Sequence, residues 1–290
     1  MWKLADSSPR WIAHKGALPE RLYRYRRVTP ETLDRLINFE VLGEAVFLAA
    51  LKDLNDPDEF RFVLKFNGTR EEIFNHWCAL LMEASPATSV ENIEAEARVR
   101  AEMVLSNNNS APIAVLEEMR NIFSNVMRVA CFTTDPVNYS MWANYAQCVT
   151  QQGATVGHGG ICIEYVCDEG WRHSTLCPVE YSHSIPVLNV LSRDEADMVG
   201  ALYSKAYEWR AEEEWRITGL IHAMPPFPEN LAANAKVKFE GAVASVIFGM
   251  ATPNNVIEEI ASQIRAKNSM VALKRVVRDL VSYERKVIAL

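Results

Sequence analysis

The chain has 290 residues, of which 49% are hydrophobic and 23% are charged, a composition typical of globular proteins. Its formal net charge of −7 argues against a surface that attracts nucleic acid or anionic membrane broadly. The first residues lack the apolar stretch of a signal peptide. The most apolar run, Ala242 to Ala251, is shorter than the ~20 residues that a membrane span requires. These features predict a cytoplasmic protein with no membrane partner.

The six cysteines and six histidines show no metal-ligand spacing. No Cys-x-x-Cys pair occurs, and no two histidines are spaced as ligands on one helix. Isolated cysteines in apolar runs behave as small hydrophobic residues, and cytosolic thiols stay reduced. We therefore expect six reduced thiols and no bound zinc.

The first half of the chain predicts two strands followed by a long helical segment. Residues 1–20 carry no period and are expected to form an N-terminal tail. The predicted elements, in order, are a strand at Arg21–Arg26, a helix from Pro30 to about Phe39 with Thr29 as N-cap, a strand at Val46–Leu48 and an extended segment from Phe60 to Phe66. Thr69 followed by Glu72 is a capping box, and residues 69–128 read as a helical insert.

The second half is rich in strands. Strands are predicted at Val129–Thr133, Gly160–Val166, Val179–Ser182, Glu214–Thr218, Ala244–Gly249 and Met270–Val277, and helices at Tyr139–Gln147, Asp194–Tyr207 and Pro253–Lys267. Strands that cluster at both ends of a chain with helices in the middle favour an α+β fold over regular βαβ repeats. We expect a single α+β domain over 21–290, with a mixed, mostly antiparallel sheet, surrounding helices and the helical insert.

Five motifs in a fixed order carry a family resemblance. They are RLYRYR, LNDPDEF, CFT followed by MWANYA, GICIEY, and WRAEEEWRI before VIFG. In this order they resemble the bacterial family catalogued as domain of unknown function 2971, from about Leu22 to Val287. The segment between Tyr145 and Gly159 is longer than the family pattern implies and is expected to be a loop. The resemblance supplies the motifs and leaves the chemistry open.

Aromatic and basic residues form two candidate ligand-binding groups. Tyr23 and Tyr25 share one face of the first strand, and Arg24 lies on the other. They fit a nucleotide or ribose, although aromatic residues are also simply favoured in strands. Trp142 and Tyr145 are three residues apart on a helix and therefore on one face. They could stack on a base or a nicotinamide ring, or belong to the core.

The acidic run before the Glu214–Thr218 strand is the candidate catalytic group. If the strand begins near Glu214, then Glu212, Glu214 and Arg216 share one face. Two carboxylates and a guanidinium that converge perturb one another's pKa values, as is typical of working sites. The alternative is a solvated acidic entry to the strand, with Arg216 paired structurally to Glu164 or Glu214.

Two further chemistries have weaker sequence support. Asn55, Asp56 and Asp58 carry the oxygen ligands that hard cations prefer, but the Leu-Asn-Asp-Pro-Asp order is more typical of a turn. A metal-dependent nuclease would need Asp56, Asp58 and a lysine to converge. Ser140 lacks the glycine elbow of a nucleophilic serine and is interpreted as a helix cap.

The motif layout resembles the three-part site of ADP-ribosyltransferases. That resemblance implies that Tyr23 or Arg24 positions NAD, that Tyr145 or Trp142 stacks on nicotinamide, and that Glu214 is catalytic, with Glu212 beside it. Tyr25 and Arg216 complete the expected cofactor-binding set. NAD would be a substrate rather than a tightly bound cofactor, and the macromolecular acceptor is left open. The alternative is a non-catalytic interaction module, for example in a phage-defence or stress system. The two hypotheses differ in whether Tyr23, Tyr145 and Glu214 line one cleft.

Overall fold

The computed structural model describes residues 18–167, 176–192, 200–220, 235–238, 242–268 and 270–290. Its strands, numbered in chain order, are β1 Arg21–Arg26, β2 Ala45–Ala50, β3 Val63–Lys65, β4 Met127–Thr133, β5 Cys148–Val149, β6 Thr155–Val156, β7 Ile161–Val166, β8 Cys177–Pro178, β9 Glu180–Ser182, β10 Val187–Asn189, β11 Ser204–Ala206, β12 Glu214–Leu220, β13 Ala235–Lys238, β14 Val243–Phe248, β15 Ala272–Arg278 and β16 Arg285–Ala289.

The α-helices are α1 Pro30–Arg35, α2 Arg70–Ala84, α3 Val90–Ser106, α4 Ile113–Val126, α5 Tyr139–Asn144 and α6 Asn254–Lys267. A π-helical turn at Leu36–Val41 continues α1, and 3-10 turns occupy Leu51–Asp53 and Tyr207–Glu212. No helix among the described residues is both long and apolar enough to cross a bilayer.

One large sheet organises the molecule. Its strand order is β13-β2-β4-β1-β7-β14-β15-β16, and β12 pairs with β4 and with the short β8. Only the β14–β15 pair within it is parallel, and the other pairs are antiparallel. The helical insert α2–α4 separates β3 from β4 along the chain. The structure thus confirms the predicted α+β fold with a mixed, mostly antiparallel sheet.

The sheet opens where three strands meet. Strand β12 pairs with β4 along its whole length. The other edge of β4 is shared, because β2 pairs at Arg128 and Val129 whereas β1 pairs only at Thr133. The buried Arg24 of β1 spans the opening, and its Nη2 donates to the carbonyl of Phe47 in β2 at 2.6 Å. The Arg24 side chain therefore takes the place of backbone hydrogen bonds between β1 and β2. The two strands are left apart, with space between them.

Buried apolar residues form three clusters around the sheet. The largest packs α1, the π-helical turn and α6 against one face, and includes Leu36, Ile163 and Ile264. A second holds the helical insert. The third lies under α5, where Trp142 packs edge-to-face on Tyr25 with ring centroids 5.0 Å apart. The third cluster fixes α5, which carries Tyr145, over the sheet.

Several local predictions are confirmed at the level of caps. Thr29 caps α1 and Thr69 caps α2 with the expected box, in which the Thr69 backbone N–H donates to Glu72 at 2.7 Å. Ser89 caps α3. The predicted strands at 21–26, 129–133, 160–166 and 214–218 correspond to β1, β4, β7 and β12.

Other boundaries are corrected. The predicted helix at Asp194–Tyr207 is wrong over its last residues, because Ser204–Ala206 pairs with β9 as β11; residues 194–199 lie outside the described part. The expected loop between Tyr145 and Gly159 contains the β5–β6 hairpin. The strand or extended segment predicted at Phe60–Phe66 contains β3 at Val63–Lys65, and β16 was not predicted. Residues 1–17 of the predicted tail also lie outside the described part.

Candidate functional site

A cavity of about 380 Å³ lies over the opening between β1, β2 and β4. Its lining includes Arg24, Tyr25, Arg26, Ala49, Asp53, Leu54, Asn55, Asp56, Glu59, Val129, Cys131, Met141, Tyr145, Lys205, Glu212 and Glu214. Three basic and five acidic side chains in that set give a formal charge of −2. The cavity is therefore suited to a ligand that carries positive charge on the part that enters it.

A chain of polar contacts crosses this cavity. The hydroxyl of Tyr145 donates to Glu212 Oε1 at 2.9 Å. Lys205 Nζ donates to Glu212 Oε2 at 2.6 Å and to Glu214 Oε2 at 2.9 Å. One ammonium group thus bridges both carboxylates and holds them beside the tyrosine.

Behind Glu214, a second buried network involves Arg216. Its Nε donates to Glu214 Oε1 at 2.6 Å, and its Nη1 and Nη2 donate to the two oxygens of Glu59 at 2.6 and 2.9 Å. Nη1 also donates to the carbonyl of Leu202. The guanidinium is fully buried, so its charge is neutralised by two carboxylates, as buried ion pairs require.

The backbone at Glu213 sets the two candidate carboxylates. Glu213 ends the Tyr207–Glu212 turn with a left-handed φ of 47°, a conformation uncommon for residues other than glycine. Glu212 and Glu214 are buried on either side of it, whereas Glu213 is exposed. The backbone N–H of Glu214 donates to the Tyr181 hydroxyl at 2.8 Å. The turn therefore directs two carboxylates inward that a regular helix would separate.

The two carboxylates have opposite pKa shifts. Burial raises the pKa of Glu212, and Lys205 and the Tyr145 hydroxyl only partly offset it. Burial also acts on Glu214, but Arg216 and Lys205 together outweigh it and hold its pKa at about 2. Two acids whose environments separate their pKa values are suited to different roles. The environment of Glu214 thus favours its ionised form, whereas burial of Glu212 favours its protonated form.

Five of the eight predicted site residues line the cavity: Arg24, Tyr25, Tyr145, Glu212 and Glu214. The other three do not. Tyr23 lies near Glu164, with 3.5 Å between its hydroxyl and the carboxylate. Trp142 is 1% exposed and donates to the Pro136 carbonyl, so the expected stacking ring is a core residue. The expected cofactor contact of Arg216 is corrected to the buried network described above.

Sequence reasoning missed Lys205 and underestimated the LNDPDEF motif. Lys205 fell inside a predicted helix, so its position opposite Glu212 could not be anticipated. Asn55 lines the cavity and hydrogen bonds to Tyr145, while Glu59 pairs with Arg216. The LNDPDEF motif and its cluster of oxygen-bearing side chains were the sequence signals that this turn could belong to a site.

The turn at Asn55–Asp58 has structural partners. Asp56 is buried and accepts the backbone N–H of Asp58 at 2.9 Å, the side-chain-to-backbone bond expected of a turn. Asp58 pairs with Arg61. Over the described ranges, no group of three or more His, Cys, Asp or Glu residues is placed to hold a metal ion.

Comparison with known proteins adds no family assignment. No family model, curated protein or solved structure matches the chain. The resemblance to the family of domain of unknown function 2971 and to ADP-ribosyltransferases therefore stays an expectation from the motifs.

Proposed function

We propose that the cavity binds NAD and that the protein is an ADP-ribosyltransferase-like enzyme, in which Glu212 acts on the nicotinamide ribose. The observation that carries the proposal is the contact of Tyr145 and Lys205 with Glu212 in a cavity of net negative charge. The pyridinium ring of NAD is positively charged, which complements this charge. The five lining residues named above come from three separate motifs.

The chemistry requires a carboxylate at the sugar. When the bond between the ribose C1′ and the nicotinamide nitrogen breaks, the electron pair leaves with neutral nicotinamide and positive charge develops on the ribose. A fixed carboxylate stabilises that charge. The acceptor then forms a bond to C1′ and loses a proton, which Glu212 accepts. A carboxyl group with a raised pKa is suited to that proton transfer.

We assign Glu214 a positioning role rather than contact with the substrate. Its side chain is 2% exposed and is shared by Lys205 and Arg216. It holds Lys205, which in turn orients Glu212. The aromatic rings of Tyr25 and Tyr145 provide the apolar wall for nicotinamide. Arg26, which pairs with Glu40 and whose side chain is 23% exposed, is the basic lining residue that we assign to the phosphates.

The test compares Glu212→Gln with Glu213→Gln, a matched change at the exposed neighbour. Purified protein is incubated with labelled NAD, alone, with bacterial lysate and with oligonucleotides, and released nicotinamide is measured. Loss of a preorganised electrostatic contact costs ~10²–10³ in rate, so Glu212→Gln should lose turnover while its melting temperature changes little. Equal turnover by Glu212→Gln and the parent would contradict the proposal.

The second candidate is the non-catalytic module, with the same cavity as a nucleotide-binding site. The complete pairing of Glu214 with Arg216 and Lys205 favours it, because a carboxylate engaged twice is typical of a structural network. Calorimetric binding of NAD without nicotinamide release, with every acceptor, would support this candidate over the enzyme. Absence of NAD binding in the parent protein would exclude both.

We also propose a cytoplasmic setting. The six cysteines are free thiols, with Cys148, Cys162 and Cys177 buried, and such thiols persist in reducing compartments. NAD is also a cytoplasmic metabolite.

A further inference from the structure

A cluster of basic and aromatic side chains lies outside the cavity, at the end of the β15–β16 pair. Arg278 and Arg285 are directly opposite each other in this antiparallel pair. Like charges in that position repel and destabilise the pairing. Asp279, the acidic neighbour of Arg278, is engaged by Lys286 at 2.6 Å. The fold thus keeps two cations together, and within the described part of the chain neither of them pairs with an acidic side chain.

The second observation is a pair of unsatisfied nitrogen atoms. Arg285 Nη1 and His158 Nδ1 are buried and have no hydrogen-bond partner among the residues that the structure describes. Buried polar atoms are almost always paired, and each exception calls for an explanation. Burial lowers the pKa of His158, and the nearby Arg285 and Arg278 lower it further, as expected where positive charge is uncompensated.

The third observation is an exposed aromatic ring at the same place. The Arg285 guanidinium stacks on Tyr139, with Cζ 3.7 Å from the ring centroid. His158 meets the ring edge-on at 5.3 Å. Tyr139 is nevertheless 67% exposed, at the start of α5. An exposed ring beside the Arg285 guanidinium, which faces Arg278 across the strand pair, offers a stacking surface next to an anion-binding group.

We propose that Arg278, Arg285, His158 and Tyr139 form a second ligand site, which binds a phosphate-bearing nucleotide. The phosphate oxygens neutralise the facing arginines, and guanidinium forks fit such oxyanions in a bidentate manner. The base stacks on Tyr139. The inference does not rest on NAD cleavage, because the site is built from the edge of the sheet rather than from the cavity.

The test is calorimetric titration of the full chain with inorganic pyrophosphate and with ADP. Arg285→Gln should weaken both ligands by about 10-fold or more, the usual loss for a charge-assisted contact. Arg265→Gln removes the same charge from an exposed position on α6 and should change affinity less than about 2-fold. Tyr139→Ala should weaken ADP about 10-fold and pyrophosphate much less, because only ADP has a base to stack.

Arg285→Lys keeps the positive charge, so its affinity should lie between those of the parent and Arg285→Gln. Melting curves identify any variant that fails to fold. Equal affinities for Arg285→Gln and Arg265→Gln would overturn the proposal, as would no binding of either ligand at millimolar concentration. Binding that survives Arg285→Gln but is lost in Glu212→Gln would assign the ligand to the cavity and also overturn it. No arm measures nicotinamide release, so failure of the proposed enzyme activity leaves this test intact.

Discussion

Replacing Glu214 with glutamine tests whether this residue is structural. The substitution keeps the size and hydrogen-bonding capacity of the side chain but removes the charge that faces Arg216 and Lys205. The pKa of Glu214 lies at about 2 against an ordinary 4.5, and each unit corresponds to about 1.4 kcal/mol. The network therefore contributes about 3 kcal/mol through this carboxylate at neutral pH, similar to the cost of breaking a buried pair.

The expected change in melting temperature follows from chain length. The entropy of unfolding is about 2.1 cal/mol/K per residue, or about 0.6 kcal/mol/K for this chain. A loss of about 3 kcal/mol should therefore lower the melting temperature by about 5 °C. The control is Glu213→Gln, because Glu213 is exposed and makes only a 3.4 Å contact with the Thr134 hydroxyl. Surface substitutions of this kind usually change stability by less than about 0.5 kcal/mol.

The pH dependence provides the second measurement. A carboxyl group whose folded pKa is depressed stabilises the fold above its unfolded pKa and loses that contribution as pH falls through the folded value. The difference between parent and Glu214→Gln should shrink from about 3 kcal/mol at pH 7 to about 1 kcal/mol at pH 3. Urea unfolding at both pH values measures it. A difference that is under 1 kcal/mol at pH 7, or that is unchanged at pH 3, would refute the reasoning.

Three further predictions concern stability and thiol chemistry. Thr69→Ala should cost about 1 kcal/mol in urea unfolding because it removes the α2 cap; an unchanged midpoint would contradict the capping box. Arg24→Met should cost about 3 kcal/mol by the same assay, because it leaves the Phe47 carbonyl and the buried Glu40 without this partner, and a loss under 1 kcal/mol would contradict the bridging role. Denatured, unreduced protein should show six reactive thiols, while native Cys177, whose pKa burial raises to about 12, should react slowly; fewer than six would indicate disulfides.

Local sequence signals predicted the parts of the fold that are decided locally. The predicted caps at Thr29 and Thr69 accept hydrogen bonds from backbone N–H groups three residues away, so the local sequence contains both partners. β11 failed as a prediction because its strand character comes from parallel pairing with β9, and its three residues have no pattern of their own. β16 failed similarly, since it depends on pairing with β15. Tertiary context overrides propensity most easily in such short strands.

The site shows the same division between local and long-range information. Period-two alternation placed Glu212, Glu214 and Arg216 together; Arg216 pairs with Glu214, and Lys205 links Glu214 to Glu212. The reason differs from the one expected, because Glu212 precedes the strand and the left-handed Glu213 returns it to the cavity. Alternation could not reveal which carboxylate is neutralised, since Glu59 lies 157 residues from Arg216 along the chain.

The positions of the buried cations decide which of the two carboxylates, Glu212 or Glu214, keeps a raised pKa. Glu214 and Glu212 share Lys205, so that ammonium group alone does not distinguish them. Arg216 distinguishes them, because of the two carboxylates it pairs with Glu214. Its guanidinium also pairs with Glu59. Removing Glu59 would therefore leave Glu214 as the carboxylate that neutralises Arg216. Glu212 would gain no further cation. Glu59, the last acidic residue of the LNDPDEF motif, thus completes the neutralisation of the buried arginine, and Glu212 keeps the raised pKa that the proposed proton transfer needs.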